Sequence, residues 1–140
     1  IIAAGGISDG RTMAAAFALG AEGVQMGTQM LSCLESPVHI NWKESIVNAR
    51  ETDTVFLNQK HSPALRALRT DRSERLADME ENIFGQFGDP QKLYFGGDMN
   101  AAIALSGQVA GRIDAIRPIA EIIGETVEEF SKTIDRLSKG

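Results

Sequence analysis

The chain is poor in cysteine, tryptophan, tyrosine and proline, with one, one, one and four among 140 residues. A single cysteine, Cys33, excludes an internal disulfide and offers no metal-ligand pair. No histidine follows it at a catalytic spacing, so it reads as a small buried apolar residue of a reducing, cytoplasmic protein. Basic residues are outnumbered, 14 Lys+Arg against 19 Asp+Glu, and the net charge is -5. With no Lys/Arg block, nucleic acid and anionic membrane surfaces are excluded as partner classes. Apolar runs stop far short of the roughly 20 residues of a transmembrane helix, and no signal-peptide pattern opens the chain. Fixed-period repeats and low-complexity tracts are absent too. What remains, 43% hydrophobic and 24% charged residues, is ordinary globular composition, in a chain long enough to bury a core.

Glycine is not scarce, and its placement is the main signal. Ile1 to Ala4 is an apolar, non-alternating run that reads as a fully buried strand ending in Gly5-Gly6. A helix follows, capped by Ser8 or Asp9, with Met13 and Phe17 one turn apart and facing the sheet. Gly20 ends that helix. Gly23 to Met26 is a second buried strand, and Gly27-Thr28 is its exit turn. Strand, glycine turn, helix, strand, glycine turn is a βαβ unit with parallel strands. The chain opens inside a strand, which gives the expectation of a C-terminal part of a longer protein.

A phosphate needs several converging N–H donors and no side chain in the way. Glycine permits that backbone approach, and the start of a helix adds partial positive charge. Gly5-Gly6 and Gly27-Thr28 supply both, and Thr28 adds a hydroxyl. Tight turns alone are the competing reading, and the pairing of two such turns favours the cradle.

Beyond Thr28 the pattern changes. Gln29 to Leu34 suits a short helix. Ser36-Pro37 interrupts it, and Asn41-x-x-Glu44 has the form of a capping box before Trp42, Ile46 and Ala49. Thr52 to Leu57 predicts a strand, Ser73 to Phe84 a helix, and Gly85 to Gly97 a turn-rich loop or lid. Gly107 to Gly111 is a tight glycine-bounded segment. Pro118 opens a final helix with Ile119, Ile122, Ile123, Val127, Phe130, Ile134 and Leu137 in one stripe.

Taken together, Ile2-Ala3-Ala4-Gly5-Gly6-Ile7-x-Asp9-Gly10 and Ala18-Leu19-Gly20-Ala21-Glu22-Gly23-Val24-Gln25-Met26-Gly27-Thr28 resemble the nitronate monooxygenase family. That family includes the similar FMN-dependent enoyl-acyl carrier protein reductases. The resemblance continues through Glu35-Ser36-Pro37-x-His39-Ile40-Asn41, Ala64 to Arg69 and Ser106-Gly107-Gln108-Val109-Ala110-Gly111. It implies an α/β fold: the last two βα units of a TIM-type (β/α)8 barrel, then a small α/β cap and a long C-terminal helix. The corresponding segments are 1–34, 35–116 and 117–140. It implies FMN as cofactor, its phosphate held by Gly5, Gly6, Gly27 and Thr28, with Gln25 pointing toward the phosphate end. Ser106, Gly107 and Gln108 are implied on the substrate side.

The implied activity is nitronate oxidation by O₂. NAD(P)H-dependent enoyl reduction is the alternative, and a catalytically incomplete fragment that at most binds FMN phosphate is a third. A small-molecule substrate is expected either way, and a homo-oligomer is left open. The family's catalytic histidine belongs to a barrel loop preceding this region, so no catalytic residue is assigned here. Gln29 stands where the family usually has Arg, which removes a positive charge near the cradle or a salt bridge behind it.

Three other features favour structural roles. His39 reads as a helix-end hydrogen bond, and His61 as a polar rim residue. Arg66, Arg69 and Arg72 read as a solvated face paired with Asp71, Glu74 and Asp78, the competing reading being a site for an anionic substrate.

Overall fold

Strand β1 (Ile2–Ala4), helix α1 (Gly10–Ala18) and strand β2 (Gly23–Gln25) form the expected βαβ unit in the computed structural model, which describes residues 1–139. The two strands pair in parallel, with Ile2 opposite Gly23 and Ala4 opposite Gln25. Asp9 starts α1: its carboxylate accepts from Thr12 N, and the Thr12 hydroxyl accepts from the Asp9 backbone in return. Gly20, at φ +98°, ends the helix. The N–H groups of Gly20 and Ala21 return to the carbonyls of Phe17 and Ala16, which satisfies acceptors that a helix end leaves open.

Two expectations change here. The first strand is not buried: Ile1 and Ile2 are 83% and 71% exposed, because among the described residues β1 has only β2 beside it. Phe17 does not face the sheet either. It meets Phe130 edge-on at 5.0 Å, which places it against the final helix, α6 (Ile119–Lys139).

Helix α6 lies along α1 at very short range. A Cβ at Gly10 would sit 2.2 Å from the backbone nitrogen of Phe130, so only glycine allows this approach. The freed Gly10 N–H donates to Glu129 Oε2 at 2.8 Å. The face turned inward is Ile122, Thr126 and Thr133 rather than the whole predicted stripe. Ile123, Val127, Ile134 and Leu137 stay exposed. Gly10 meets the α6 backbone at Thr126, Glu129 and Phe130, and the Phe130 ring packs beside that contact on Phe17. Glu35 Oε2 accepts from Ile119 N and so caps α6, directly after Pro118.

The remaining elements make a second α/β unit. After α2 (Gly27–Leu31) come α3 (Ile40–Val47), β3 (Thr54–Leu57), β4 (Leu65–Leu68), α4 (Asp71–Ala77) and α5 (Pro90–Tyr94). Strands β3 and β4 are antiparallel, Thr54 opposite Leu68 and Leu57 opposite Leu65. The far edge of β4 is covered by residues 104–106: Leu68 N donates to Ala104 O, and Ser106 N to Arg66 O. The fold is therefore α/β, with two small sheets, β1–β2 and β3–β4, among the described residues.

Trp42 and Ile46 of α3, with Leu93 of α5, anchor one core cluster. Leu57, Leu76 and Ile83 anchor the other. The predicted helix at 73–84 stops at Ala77, and Ile83 enters the core from a separate 3-10 turn, Ile83–Gln86. The Gly85 to Gly97 segment is not a lid, since it contains α5 and the fully buried Leu93. Asn41 does not cap α3. His39 does, accepting from Asn41 N, while the Asn41 amide donates to Gly97 O.

Candidate functional site

The two glycine turns open onto one cleft of about 260 Å³. Its walls are Ala4 to Ile7 from the first turn, Gln25, Gly27 and Thr28 from the second, and Gly107 and Val109 from the second α/β unit. Gly5 and Gly6 have φ of +85° and +74°, a left-handed backbone that costs an L-residue strain. A Cβ at either would meet no atom within 4 Å, so close packing is not what demands glycine there. The demand comes from the backbone conformation and from the open space the turn faces. Among the described residues, the Gly6 N–H meets no protein acceptor, and that of Gly5 meets none outside the β1–β2 ladder. Met26 supplies no side-chain cap to α2, and the first N–H groups of any helix have no partner inside it. These donors and the missing Cβ atoms fit a phosphate group.

Thr28 is buried, and its Oγ1 accepts from Gly107 N at 2.7 Å. The same residue therefore lines the cleft and holds its opposite wall. Of the three expected substrate-side residues, Gly107 lines the cleft. Ser106 is buried, its hydroxyl accepting from Trp42 Nε1 at 3.4 Å. Gln108 is exposed and opens the 3-10 turn Gln108–Arg112. Gln25 is exposed at the end of β2. Ile7 and Val109 are cleft residues not singled out as site candidates in the sequence. Both lie inside the glycine motifs, which was the available signal.

A second tie holds the same walls together. Arg112 donates to Asp9 Oδ2 at 2.6 Å, across 103 residues of sequence. Burial works to raise the Asp9 pKa, but hydrogen bonds from Thr12 and the guanidinium groups of Arg112 and Arg11 outweigh it, leaving the carboxyl below its ordinary value. Gln29 is buried behind the cradle, in a polar cleft of about 140 Å³ shared with Arg117, Glu125 and Glu129. An Arg at that position would face those carboxylates, which are served here by others: Arg117 pairs with Glu125, and Arg11 with Glu129.

Both histidines are engaged elsewhere. His39 caps α3, and His61 Nε2 bonds the Glu80 carbonyl at 2.8 Å. The three arginines likewise have local duties. Arg66 donates to Thr54 Oγ1 and covers the Phe56 ring, Arg69 pairs with Glu74, and Arg72 donates to the carbonyls of Asn100 and Gln86.

Comparison with known proteins bears on this geometry. The model of the nitronate monooxygenase family matches residues 1–129. A probable nitronate monooxygenase of Staphylococcus aureus (strain Newman) is 40% identical over 83 residues, 59% of this chain and 23% of that protein. One from Staphylococcus saprophyticus is 39% identical over 83 residues, with the same coverage. The structure of FabK from Thermotoga maritima is 43% identical with a TM-score of 0.88, covering 99% of this chain and 46% of that one. Nitroalkane oxidase from Streptomyces ansochromogenes, at 23% identity, TM-score 0.75 and coverage of 97% and 40%, shares the fold. The chain thus spans less than half of the solved relatives, and under a quarter of the curated ones is aligned.

Proposed function

This chain belongs to the nitronate monooxygenase family, and from that premise we propose that the whole protein is an FMN-dependent oxidoreductase that oxidises alkyl nitronates with O₂. The observation that carries the proposal is the single cleft framed by both glycine turns, with Gly5 and Gly6 in left-handed conformation and the Gly6 N–H unengaged among the described residues. On this reading β1 and β2 are the last two strands of a TIM-type barrel, where phosphate sites recur at the C-terminal ends of late strands. The barrel end is 1–34, the cap 35–116 and the closing helix 117–140.

Gly5, Gly6 and Gly27 would donate backbone N–H groups to the FMN phosphate, Thr28 its hydroxyl, and Gln25 its amide from the rim. Gly107 and Val109 would line the opposite wall, and Ser106 would hold that wall to the cap core through Trp42. Bound FMN supplies the electron-accepting chemistry; the protein supplies binding and orientation. The local hydrogen bonds of His39 and His61, neither of which lines the cleft, support placing the catalytic base outside these residues. No described helix is long and apolar enough to cross a membrane. The lone buried thiol, Cys33, fits the reducing cytoplasm expected from sequence.

A second reading, FMN-dependent enoyl-acyl carrier protein reduction by NAD(P)H, is favoured by the FabK likeness over nearly the whole chain. The two separate in one anaerobic experiment on the full-length holoenzyme. Bleaching of flavin absorbance by an alkyl nitronate but not by NADH or NADPH is the expected result. Bleaching by a nicotinamide alone would overturn it in favour of the reductase, and a purified protein that takes up no flavin would sink both.

A further inference from the structure

We infer that Thr28 is a positioning residue that couples occupation of the cradle by a phosphate monoester to the order of the opposite wall, residues 106–109. The inference rests on the phosphate reading of the cleft and goes beyond it, from what binds there to what binding does. A threonine hydroxyl has one proton to donate and two lone pairs. One lone pair of Thr28 Oγ1 is taken by the N–H of Gly107 at 2.7 Å. Among the described residues no protein acceptor takes its proton, and Thr28 lines the cleft. The proton is therefore available to an oxygen in the cleft, on the side away from Gly107.

A phosphate oxygen accepting that proton polarises the hydroxyl and strengthens its hold on the Gly107 N–H, as hydrogen bonds in series do. The contact leaves little slack: a Cβ on Gly107 would lie 3.2 Å from Thr28 Oγ1, so a side chain at 107 would crowd the hydroxyl. From Gly107 the connection runs through the adjacent Ser106 to Trp42, which has no exposed surface. Wall and cradle are thus joined at one hydroxyl, whose second hydrogen bond becomes available only when the cleft is filled. The Asp9–Arg112 pair ties the same wall to α1 but does not line this cleft, so it would respond less to a ligand.

The test is amide deuterium exchange on the full-length apoprotein, with ribose 5-phosphate as a colourless phosphate monoester and binding followed separately by calorimetry. At saturation the peptide spanning 106–110 should exchange at least threefold more slowly in the wild type and in Thr28→Ser. In Thr28→Val it should exchange faster without ligand and gain no protection with it. Thr28→Ala, which removes the hydroxyl with no added bulk, gives the same comparison if the valine variant does not fold. Equal protection in the valine or alanine variant, with binding confirmed, overturns the coupling and leaves the phosphate reading standing. Absence of binding heat for both ribose 5-phosphate and FMN in the wild type overturns both.

Discussion

Two glycines four positions apart illustrate how one residue type serves two purposes. Gly6 needs its left-handed φ of +74° and faces open space, whereas Gly10 needs the absence of a methyl that would press on the backbone of Phe130. Gly6→Ala should therefore fold, at a backbone cost of about 1–2 kcal/mol, and show its main defect in binding. We expect FMN affinity of the full-length protein to fall at least tenfold in a flavin-fluorescence titration, because the methyl enters the cleft and the turn shifts its N–H groups. Gly10→Ala should leave the cradle chemistry intact and cost more stability, roughly 3 kcal/mol in urea unfolding, as over-packing against backbone does. Similar stability losses in the two variants would show that the turn, too, is only structural. The sequence announced Gly6 through the apolar run before it. Gly10 carried no comparable signal, since its reason for being glycine lies in a helix more than a hundred residues away.

Elements with local causes were legible in the sequence, and those with distant causes were not. Helix α1 has its cap, its glycine stop and its flanking strands within a short stretch, and their order and parallel pairing are as expected, although the strands are not buried. The helix expected at 73–84 followed the spacing of Leu76, Met79 and Ile83, yet it ends at Ala77 because Ile83 reaches the same core from a different turn. The inward face of α6 follows its close approach to Gly10 of α1, so only part of the apolar stripe, Ile122 and Phe130, turns inward. The N-terminus of α1 also gives a pH prediction. Hydrogen bonds and the neighbouring guanidinium groups outweigh burial and leave the Asp9 carboxyl below its ordinary value of about 4. A depressed carboxylate contributes stability above its unfolded pKa and loses it as pH falls through the folded one. Asn also caps helices well, so Asp9→Asn removes the charge but keeps a cap. The melting temperature should be lower in Asp9→Asn at pH 6, and the gap to wild type should close as pH drops from about 4 toward 2. A gap that stays constant over that range would mean that the charge on Asp9 contributes nothing.

For the molecule as a whole, the pairing of the two glycine turns around one cleft was readable because both are short motifs in one βαβ unit, while Gly107 on the opposite wall was singled out only through family resemblance. Nothing local in Ser106-Gly107-Gln108 says that Gly107 will meet Thr28 or that Gln108 will turn to solvent. The surface carries a similar division. Charges are spread enough to give a net -5 and a pI near 5.0, yet Ile123, Val127, Ile134 and Leu137 form an uncovered apolar stripe on α6. Repulsion between copies is what opposes contact between such stripes, and it vanishes where net charge does. The 140-residue chain should therefore scatter light most strongly near pH 5 and least near pH 8, in dilute salt. Ile134→Lys interrupts the stripe at a residue that is 40% exposed, so it should cost less than about 0.5 kcal/mol of stability. Because the added charge also moves the pI upward, the comparison is made at each protein's own scattering maximum. There the variant should scatter several-fold less than wild type. Equal scattering at the two maxima would mean that association runs through another surface, with the exposed edge of β1 at Ile1 and Ile2 the next one to interrupt.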